Sequence, residues 1–299
     1  MADDEYGTGD GATRIKERCK AIADAAIADA APVALPKGSK DAPPPLGQWA
    51  DDLRGCPNAM LRSELFCAGK PPTRREFFEQ MQLAQSLAPY TVKYTGPRLY
   101  QPDMDVWLEL VHRARQLPAG CEVLFSARAM LRSLGRSDGK SDRDWLAATF
   151  ARLRATALDV SRKDPQTGRT RGYIRGLVKS LDYHSDQKVW SVCLDPEITI
   201  LFAPDLHTWI DTKARRELRK SYLAQWLHAY FSSHRKPRPI SVKRLHELSG
   251  SETGRLRKFR ESLRSAMSHV ALVEQAASRS FEWRIDDEDL VHVVRESGN

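Results

Sequence analysis

Five cationic side chains fall within ten residues in the C-terminal third of the chain, and their types suit them to bind phosphates and base edges. They are Arg255, Arg257, Lys258, Arg260 and Arg264. Guanidinium and ammonium groups donate hydrogen bonds to phosphate oxygens, and an arginine can also donate two hydrogen bonds to one guanine. A solvated helix face carries a similar run of charge, so this segment by itself leaves both interpretations open.

Apolar residues in the same segment recur at three- and four-residue spacing, which predicts a helix from Gly254 to Val270 with one buried face. Its inward residues would be Leu256, Phe259, Leu263, Ala266, Met267 and Val270. A shorter helix is predicted before it, with Ser241 as N-cap and Leu245 and Leu248 facing inward. Gly250 lies in the turn between the two helices, where a positive φ favours glycine.

A short helix, a turn and a longer basic helix form a helix-turn-helix, whose second helix enters the major groove of DNA. The turn contributes two polar side chains, those of Ser251 and Thr253. We expect both to contact DNA together with the five cations.

The same order of elements is predicted a second time. A short helix would run from Ser126 to Gly135, followed by a polar turn from Arg136 to Lys140. Ser141 and Asp144 form a capping-box-like pair, which predicts the start of a second helix. Its inward residues would be Leu146, Phe150, Leu153 and Ala157. The candidate DNA contacts of this unit are Lys140, Arg143, Arg152 and Arg154.

Two strands are predicted after the first helix-turn-helix, at 173–183 and 188–194, joined by the short connection at 185–187. The loop that precedes them, at 164–168, is flanked by basic residues that include Arg169 and Arg171. A hairpin with a basic tip after a recognition helix is typical of a wing that reaches phosphates or the minor groove. We expect both arginines to bind DNA.

The remaining elements follow from periodicity. A second pair of wing strands is predicted at 281–285 and 290–294. Further helices are predicted at 103–116 and 213–230. Together with the two helix-turn-helix units, these elements predict an α+β protein with two tandem winged-helix domains.

The 299 residues carry a formal net charge of +8, and the positive charge is concentrated in the predicted helix-turn-helix units. Residues 1–91 have 11 Lys and Arg against 13 Asp and Glu, whereas the remainder has 36 against 26. Within the remainder, 126–180 has 13 bases against 5 acids, and 213–264 has 15 against 4. A solvated surface gives no reason for this coincidence, so we expect a polyanion partner, namely double-stranded DNA.

The composition and the cysteine spacing limit the class of protein to which this chain can belong. Hydrophobic residues at 41% and charged residues at 29% are typical of a soluble globular protein. No stretch approaches the roughly 20 apolar residues of a membrane span, and the acidic N-terminus is unlike a signal peptide. The five cysteines form no CxxC pair and predict reduced thiols in the cytoplasm.

No catalytic, metal or cofactor site is predicted. The GRSDGKS stretch at 135–141 is one residue short of a phosphate-binding loop and falls in a helix-turn-helix turn. The acidic run at 286–289 fits a solvated turn better than a metal site. We therefore expect a protein that is not an enzyme and needs neither cofactor nor metal.

The chain is predicted to have four segments: a mobile tail at 1–45, a docking extension at 46–91, a first winged-helix domain at 92–205 and a second at 206–299. The tail begins acidic and ends in three consecutive prolines. The extension contains enough apolar residues to dock on another part of the protein.

Short motifs over roughly residues 58–295 resemble, in order, the TrfA-type plasmid replication initiators. They are Ser63–Phe66, Tyr94–Gly96, Val106–Trp107, Thr156–Ala157, Ile198–Ala203, Tyr230–Arg235 and Asp289–His292. The most specific are the YFSSHR box at Tyr230–Arg235, the Gly250-Ser251 turn and the ITILFA strand at Ile198–Ala203.

The resemblance implies two winged-helix domains that bind direct repeats, called iterons, in a plasmid origin. Such proteins promote melting of an adjacent A·T-rich segment, bind its single strand, and recruit a host initiator and replicative helicase. By position, the recognition helices would be the segments from Ser141 to Val160 and from Gly254 to Val270. A monomer–dimer equilibrium and a role in plasmid copy number are also expected, with the protein in the bacterial cytoplasm on its plasmid.

One departure concerns the sliding clamp. Broad-host-range members carry a glutamine-leucine-x-leucine-phenylalanine peptide before the region that matches Trp49 to Asn58, and here the place reads APPPLGQ, at 42–48. Direct clamp contact by that route is not predicted.

A winged-helix transcriptional regulator is the main alternative to a replication initiator, and a DNA-processing enzyme such as a relaxase or transposase is a third possibility for the function.

Overall fold

The computed structural model describes residues 46–47, 49–85, 90–118, 120–163, 166–184, 189–195, 201–202 and 206–295. The helices are α1 Asn58–Leu61, α2 Gln101–Ala114, α3 Ala127–Ser133, α4 Lys140–Arg154, α5 Thr212–Glu217, α6 Tyr222–Ser232, α7 Val242–Leu248 and α8 Leu256–Ala276. The strands are β1 Leu53–Pro57, β2 Phe66–Cys67, β3 Phe77–Gln82, β4 Tyr90–Pro97, β5 Leu99–Tyr100, β6 Glu122–Ser126, β7 Ala157–Lys163, β8 Thr170–Arg175, β9 Ser180–His184, β10 Val189–Cys193, β11 His207–Asp211, β12 Ile240–Ser241, β13 Phe281–Ile285 and β14 Leu290–Arg295. The tail at 1–45, the connection at 185–187 and most of the ITILFA motif lie outside the described residues.

Two apolar clusters form the interior. The larger surrounds α2, whose Trp107 and Leu110 are fully buried because apolar residues recur on one side of that helix. The smaller surrounds α8 and buries Phe259 and Met267. The larger cluster also includes Ile210 of β11, so the first core is completed by residues that follow position 205.

The first helix-turn-helix unit consists of α2, β6, α3, α4, β9 and β10 in chain order. Its three strands form an antiparallel sheet in the order β6-β10-β9. The second unit repeats this order with α6, β12, α7, α8, β13 and β14, and its sheet has the equivalent order β12-β14-β13. The predicted strands at 281–285 and 290–294 are confirmed.

A four-stranded antiparallel sheet, β3-β4-β7-β8, lies outside both units. Its strands come from the segment before α2 and from the hairpin between α4 and β9. Strand β1 pairs with β11 over five residue pairs, from Leu53 with Asp211 to Pro57 with His207. The segment predicted as a docking extension therefore contributes strands to several sheets.

The predicted first recognition helix is too long. Helix α4 ends at Arg154, and Ala157 to Val160, placed in the helix by the sequence analysis, belong to β7. Pairing of β7 with both β4 and β8 outweighs the local helical pattern. Its N-terminus also differs, because Gly139 and not Ser141 is the N-cap, so the predicted capping box is absent.

Two other long predicted elements are divided. The helix predicted at 213–230 is split between α5 and α6 by a 3₁₀ turn, because the Ser221 hydroxyl accepts a hydrogen bond from the Ala224 N–H and starts a new helix. The strand predicted at 173–183 is split into β8 and β9, which lie in different sheets, with Leu177 and Val178 buried at the crossing. Within the ITILFA motif, the two described residues are in 3₁₀ conformation, not in a strand.

Candidate nucleic-acid interface

The second helix-turn-helix is built as the sequence predicts. The Ser241 hydroxyl accepts from the Arg244 N–H at 3.1 Å and starts α7, whose Leu245 and Leu248 are buried. Gly250 turns the chain with φ of +59°, the left-handed region where a side chain is strained. Helix α8 then buries the predicted stripe except Leu256, which lies in its first turn and is largely exposed.

Four of the five cations on α8 face solvent near its N-terminus. The exposed set is Arg255, Arg257, Lys258 and Arg264. Arg257 has 93% of its side chain exposed and lies 3.6 Å from Glu261. Arg260 differs, because it is half-buried and pairs with Asp289 in the β13–β14 turn at 2.5 Å. Arg260 therefore links α8 to the β13–β14 hairpin. Its side chain is held in this ion pair and, unlike the four exposed cations, is not directed into solvent.

Ser251 and Thr253 organise the turn before α8. The Ser251 hydroxyl donates to the Thr253 hydroxyl at 3.2 Å, and a ring nitrogen of His246 lies 2.9 Å from the Thr253 carbonyl oxygen. Both residues are partly exposed beside the cationic start of α8. Both side chains remain accessible for the predicted DNA contact. Their hydrogen bonds also stabilise the turn before α8.

The turn of the first helix-turn-helix is held by its own charges. The Asp142 carboxylate accepts hydrogen bonds from the Ser137 hydroxyl and from Arg136, and these bonds lower the pKa of Asp142. Arg136 also stacks over the Trp145 ring at 3.6 Å. Arg143 donates twice to Asp138, at 2.7 and 2.8 Å. Bidentate pairs of this kind are among the stronger ion pairs, so a phosphate contact by Arg143 requires it to exchange Asp138 for the phosphate.

The other candidate contacts of the first unit divide into two groups. Lys140 and Arg154 are exposed at opposite ends of α4. Arg152 is not on that surface, because its guanidinium is directed inward and donates to the fully buried carboxylate of Asp103. The structure therefore corrects the prediction for Arg152, which is a structural residue of the core edge.

The wing strands predicted at 173–183 and 188–194 correspond in part to β9 and β10, whereas the basic residues Arg169 and Arg171 assigned to that wing lie directly before or within β8, outside the sheet of the first helix-turn-helix unit. The β7–β8 hairpin extends the four-stranded sheet, whereas β9–β10 is the hairpin that follows α4 in the three-stranded sheet. Arg169 is exposed at the start of β8, and Arg171 lies in β8 opposite Arg162. The sequence could not separate the two hairpins, because both follow α4 and both are short.

Several site-forming residues were missed by the sequence analysis. Arg215 is almost fully buried and forms an ion pair with Asp105, while Arg216 donates to the Ser133 carbonyl at the end of α3. These bonds join the start of the second unit to the first. Their only sequence signal was the cluster of cations near residue 215, which equally suited a DNA contact.

The described residues hold no group of three or more His, Cys, Asp or Glu side chains placed to bind a metal ion. The described helices include none that is both long and apolar enough to cross a membrane.

The fold, with its two units, is similar to that of a protein whose structure has been solved. The crystal structure of domains 2 and 3 of RctB superposes with a TM-score of 0.53 at 12% identity, over 78% of this chain and 95% of that one. At this level of identity the likeness concerns the fold alone.

The family follows from the sequence itself. The model of the family described as TrfA protein matches residues 43–295, and the chain therefore belongs to the TrfA family. The plasmid replication initiator protein TrfA of Escherichia coli is 28% identical over 259 residues, which cover 84% of this chain and 64% of that protein. RepFIB replication protein A of Escherichia coli is 30% identical over 176 residues, which cover 57% of this chain and 54% of that protein. The matched region thus spans between about half and two-thirds of these relatives.

Proposed function

We propose that this protein initiates plasmid replication by binding direct repeats in a plasmid origin. Membership of the TrfA family and the names of both relatives support this role. The observation that carries the proposal is the surface of α8, where Arg255, Arg257, Lys258 and Arg264 are exposed at the start of a helix whose opposite face is buried. Such a helix can enter a major groove while its scaffold stays intact.

We infer further that each unit is a winged helix. The order helix, strand, helix, helix, strand, strand in both units supports this, as does the sheet order in which the third strand lies between the first and second. In this proposal the wings are β9–β10 and β13–β14. The proposed domains at 92–205 and 206–299 each contain one unit, and Ile210 of β11, which follows the boundary, also packs in the first core. The β7–β8 hairpin is an additional basic arm.

The direct test is plasmid establishment. A plasmid that carries only this gene and its flanking repeats, without another origin, should transform the host. The paired variant Arg255→Ala with Arg257→Ala should abolish establishment, while Arg74→Ala, which removes an exposed arginine outside both units, should not. Binding to a single palindrome, with no establishment, would instead favour the transcriptional regulator.

The later steps are proposed from the family resemblance. Bound protein should make thymines in an adjacent A·T-rich segment reactive to permanganate, and it should retain the exposed single strand. Contacts with the host initiator and helicase, a monomer–dimer equilibrium and a location on the plasmid in the bacterial cytoplasm belong to the same proposal. We propose no enzymatic step. Pull-down with purified sliding clamp tests whether this protein binds the clamp without the glutamine-leucine-x-leucine-phenylalanine peptide.

A further inference from the structure

A chain of hydrogen bonds connects the two candidate DNA-reading helices, α4 and α8, through the N-terminus of α2. Arg152, in the last turn of α4, donates to Asp103 Oδ1 at 2.9 and 3.1 Å. Asp103 Oδ2 accepts from the Tyr100 N–H at 2.8 Å and from Arg75 at 3.0 Å. The Tyr100 hydroxyl then donates at 2.9 Å to Glu252 Oε1, in the turn that leads into α8. We call this chain the Tyr100–Asp103 bridge.

The bridge is buried around Asp103 and Tyr100, whereas the Glu252 side chain at its other end is 56% exposed and also lies 3.5 Å from Arg98. The Asp103 side chain is fully buried, and it is surrounded by the guanidinium groups of Arg75 and Arg152. Tyr100 is 1% exposed, and Arg75 lies over its ring at 4.5 Å. Charge-assisted hydrogen bonds away from water are strong, and leaving one partner unpaired is costly. The buried part of the bridge therefore allows few alternative positions for Asp103, Arg152 and the Tyr100 ring, and the Tyr100–Glu252 hydrogen bond connects it to the turn before α8.

The turn before α8 is held by the same part of the chain in a second way. The Gly250 carbonyl accepts from Arg98 at 2.7 Å and from the Cys67 thiol at 2.9 Å. The Ser249 carbonyl accepts from the Ala68 N–H at 2.8 Å. Glycine suits position 250 because its φ is +59°, and a Cβ there would lie 3.1 Å from the Arg98 guanidinium, which would have to shift slightly. The turn is thus anchored outside its own unit.

We propose that the Tyr100–Asp103 bridge sets the distance and angle between α4 and α8, and thereby fixes the spacing of the two half-sites in each repeat. This proposal rests on the proposed function. Inserting one base pair between half-sites rotates them by about 34 to 36° and separates them by about 3.4 Å. A rigid pair of reading helices cannot follow that change, whereas a loosened pair can. Tyr100, Asp103 and Glu252 are in this proposal positioning residues for spacing specificity.

The test compares the affinity of full-length protein for a native repeat with its affinity for a repeat that has one extra base pair between the two protected grooves. Tyr100→Phe removes only the hydroxyl that reaches Glu252, and it should reduce the wild-type preference for native spacing about three- to tenfold. Tyr94→Phe is the matched control, because the Tyr94 hydroxyl is equally buried but donates to the nearby Pro97 carbonyl. It should leave the preference unchanged.

A second pair of variants separates positioning from charge. Glu252→Gln keeps an oxygen acceptor for Tyr100 and should retain most of the spacing preference, while Glu252→Ala should lose it like Tyr100→Phe. Loss of the carboxylate can also change general DNA affinity. Such a change affects both duplexes equally, so it cancels in the ratio of the affinity for native spacing to the affinity for the duplex with the extra base pair. Thermal unfolding of each variant shows whether the fold is retained.

The outcomes distinguish the two proposals. An unchanged spacing preference in Tyr100→Phe, or an equal loss in Tyr94→Phe, overturns the bridge while leaving the DNA-binding role intact. If wild-type protein binds a random duplex as tightly as the repeat at matched salt, the proposed function itself fails.

Discussion

Replacement of Arg257 by alanine should separate DNA recognition from folding. The Arg257 side chain is 93% exposed, and it pairs with Glu261, one helical turn away at 3.6 Å. Exposed pairs of this kind contribute about 0.3 to 0.5 kcal/mol, so the free energy of unfolding should change by no more than about 0.5 kcal/mol. The midpoint of thermal unfolding should therefore shift by only a few degrees.

The loss in DNA binding should be much larger. An arginine that donates to a base edge contributes about 1 to 3 kcal/mol, which corresponds to an increase in Kd of about 5- to 150-fold. If Arg257 instead contacts a phosphate, affinity for repeat and random DNA should fall together, and the slope of log K against log salt should decrease by about 0.9. Arg260→Ala is the contrasting variant, because loss of the Asp289 pair should lower thermal stability as well.

The assay is a fluorescence anisotropy titration of a labelled repeat and a random duplex at two or more salt concentrations. Circular dichroism melting of the same preparations reports stability. Wild-type affinity of Arg257→Ala for the repeat at every salt concentration would show that the exposed face of α8 does not contact DNA.

Three further outcomes are expected. Neutralising Arg169 and Arg171 together should weaken binding to repeat and random DNA alike and reduce the salt slope by about two, whereas an unchanged slope would place the β7–β8 hairpin away from the duplex. Burial acts to raise the pKa of Glu274, but hydrogen bonds from the imidazole and guanidinium beside it outweigh burial and lower that pKa to about 2. The carboxylate therefore stabilises the fold above pH 4.5 by roughly 2 to 3 kcal/mol, a contribution lost as pH falls toward 2, and urea unfolding of Glu274→Gln should depend less on pH across that window. The separate fragments 92–205 and 206–299 should each bind one repeat far more weakly than the intact chain in footprinting. The decisive fragment is 206–299, because 92–205 lacks Ile210 and so has an incomplete core; full protection by 206–299 alone would mean that the first unit does not read DNA.

The parts of the fold with a strong local pattern could be predicted from the sequence. Helices α3, α7 and α8 follow from apolar residues on one helical face, together with Ser241 as the predicted N-cap of α7, and α8 extends only six residues beyond the predicted end. Strands β13 and β14 follow from alternation and an acidic turn. These signals depend on neighbours in the sequence, which is why they could be recognised.

The four-stranded sheet could not be predicted, because its pairing is not local. Strand β4 pairs with β7, more than 60 residues later, and no motif in either strand specifies the other. The same pairing ended α4 early and made Ala157 a strand residue. Tertiary contacts commonly override local preference in this way.

The candidate DNA-binding site was predictable only where it depends on a local sequence pattern. Periodicity correctly placed Arg257 and Lys258 on an open surface, because their positions follow from the buried stripe of α8. It could not show that Arg152 turns toward Asp103 or that Arg260 pairs with Asp289. Each partner lies elsewhere in the chain, and a cation buried in an ion pair has the same sequence signature as one that faces DNA.

The pairing of β1 with β11 has a consequence for how the protein is made. Near the end of this ladder, the Thr208 hydroxyl donates to the side-chain oxygen of Asn58, 150 residues away in sequence. At a synthesis rate of about 5 to 20 residues per second, β1 leaves the ribosome roughly 8 to 30 s before its partner strand does. Closing so long a loop is slow compared with local helix formation. The N-terminal edge of the first core therefore stays unpaired during much of translation, and the nascent chain completes this core only as the second unit emerges.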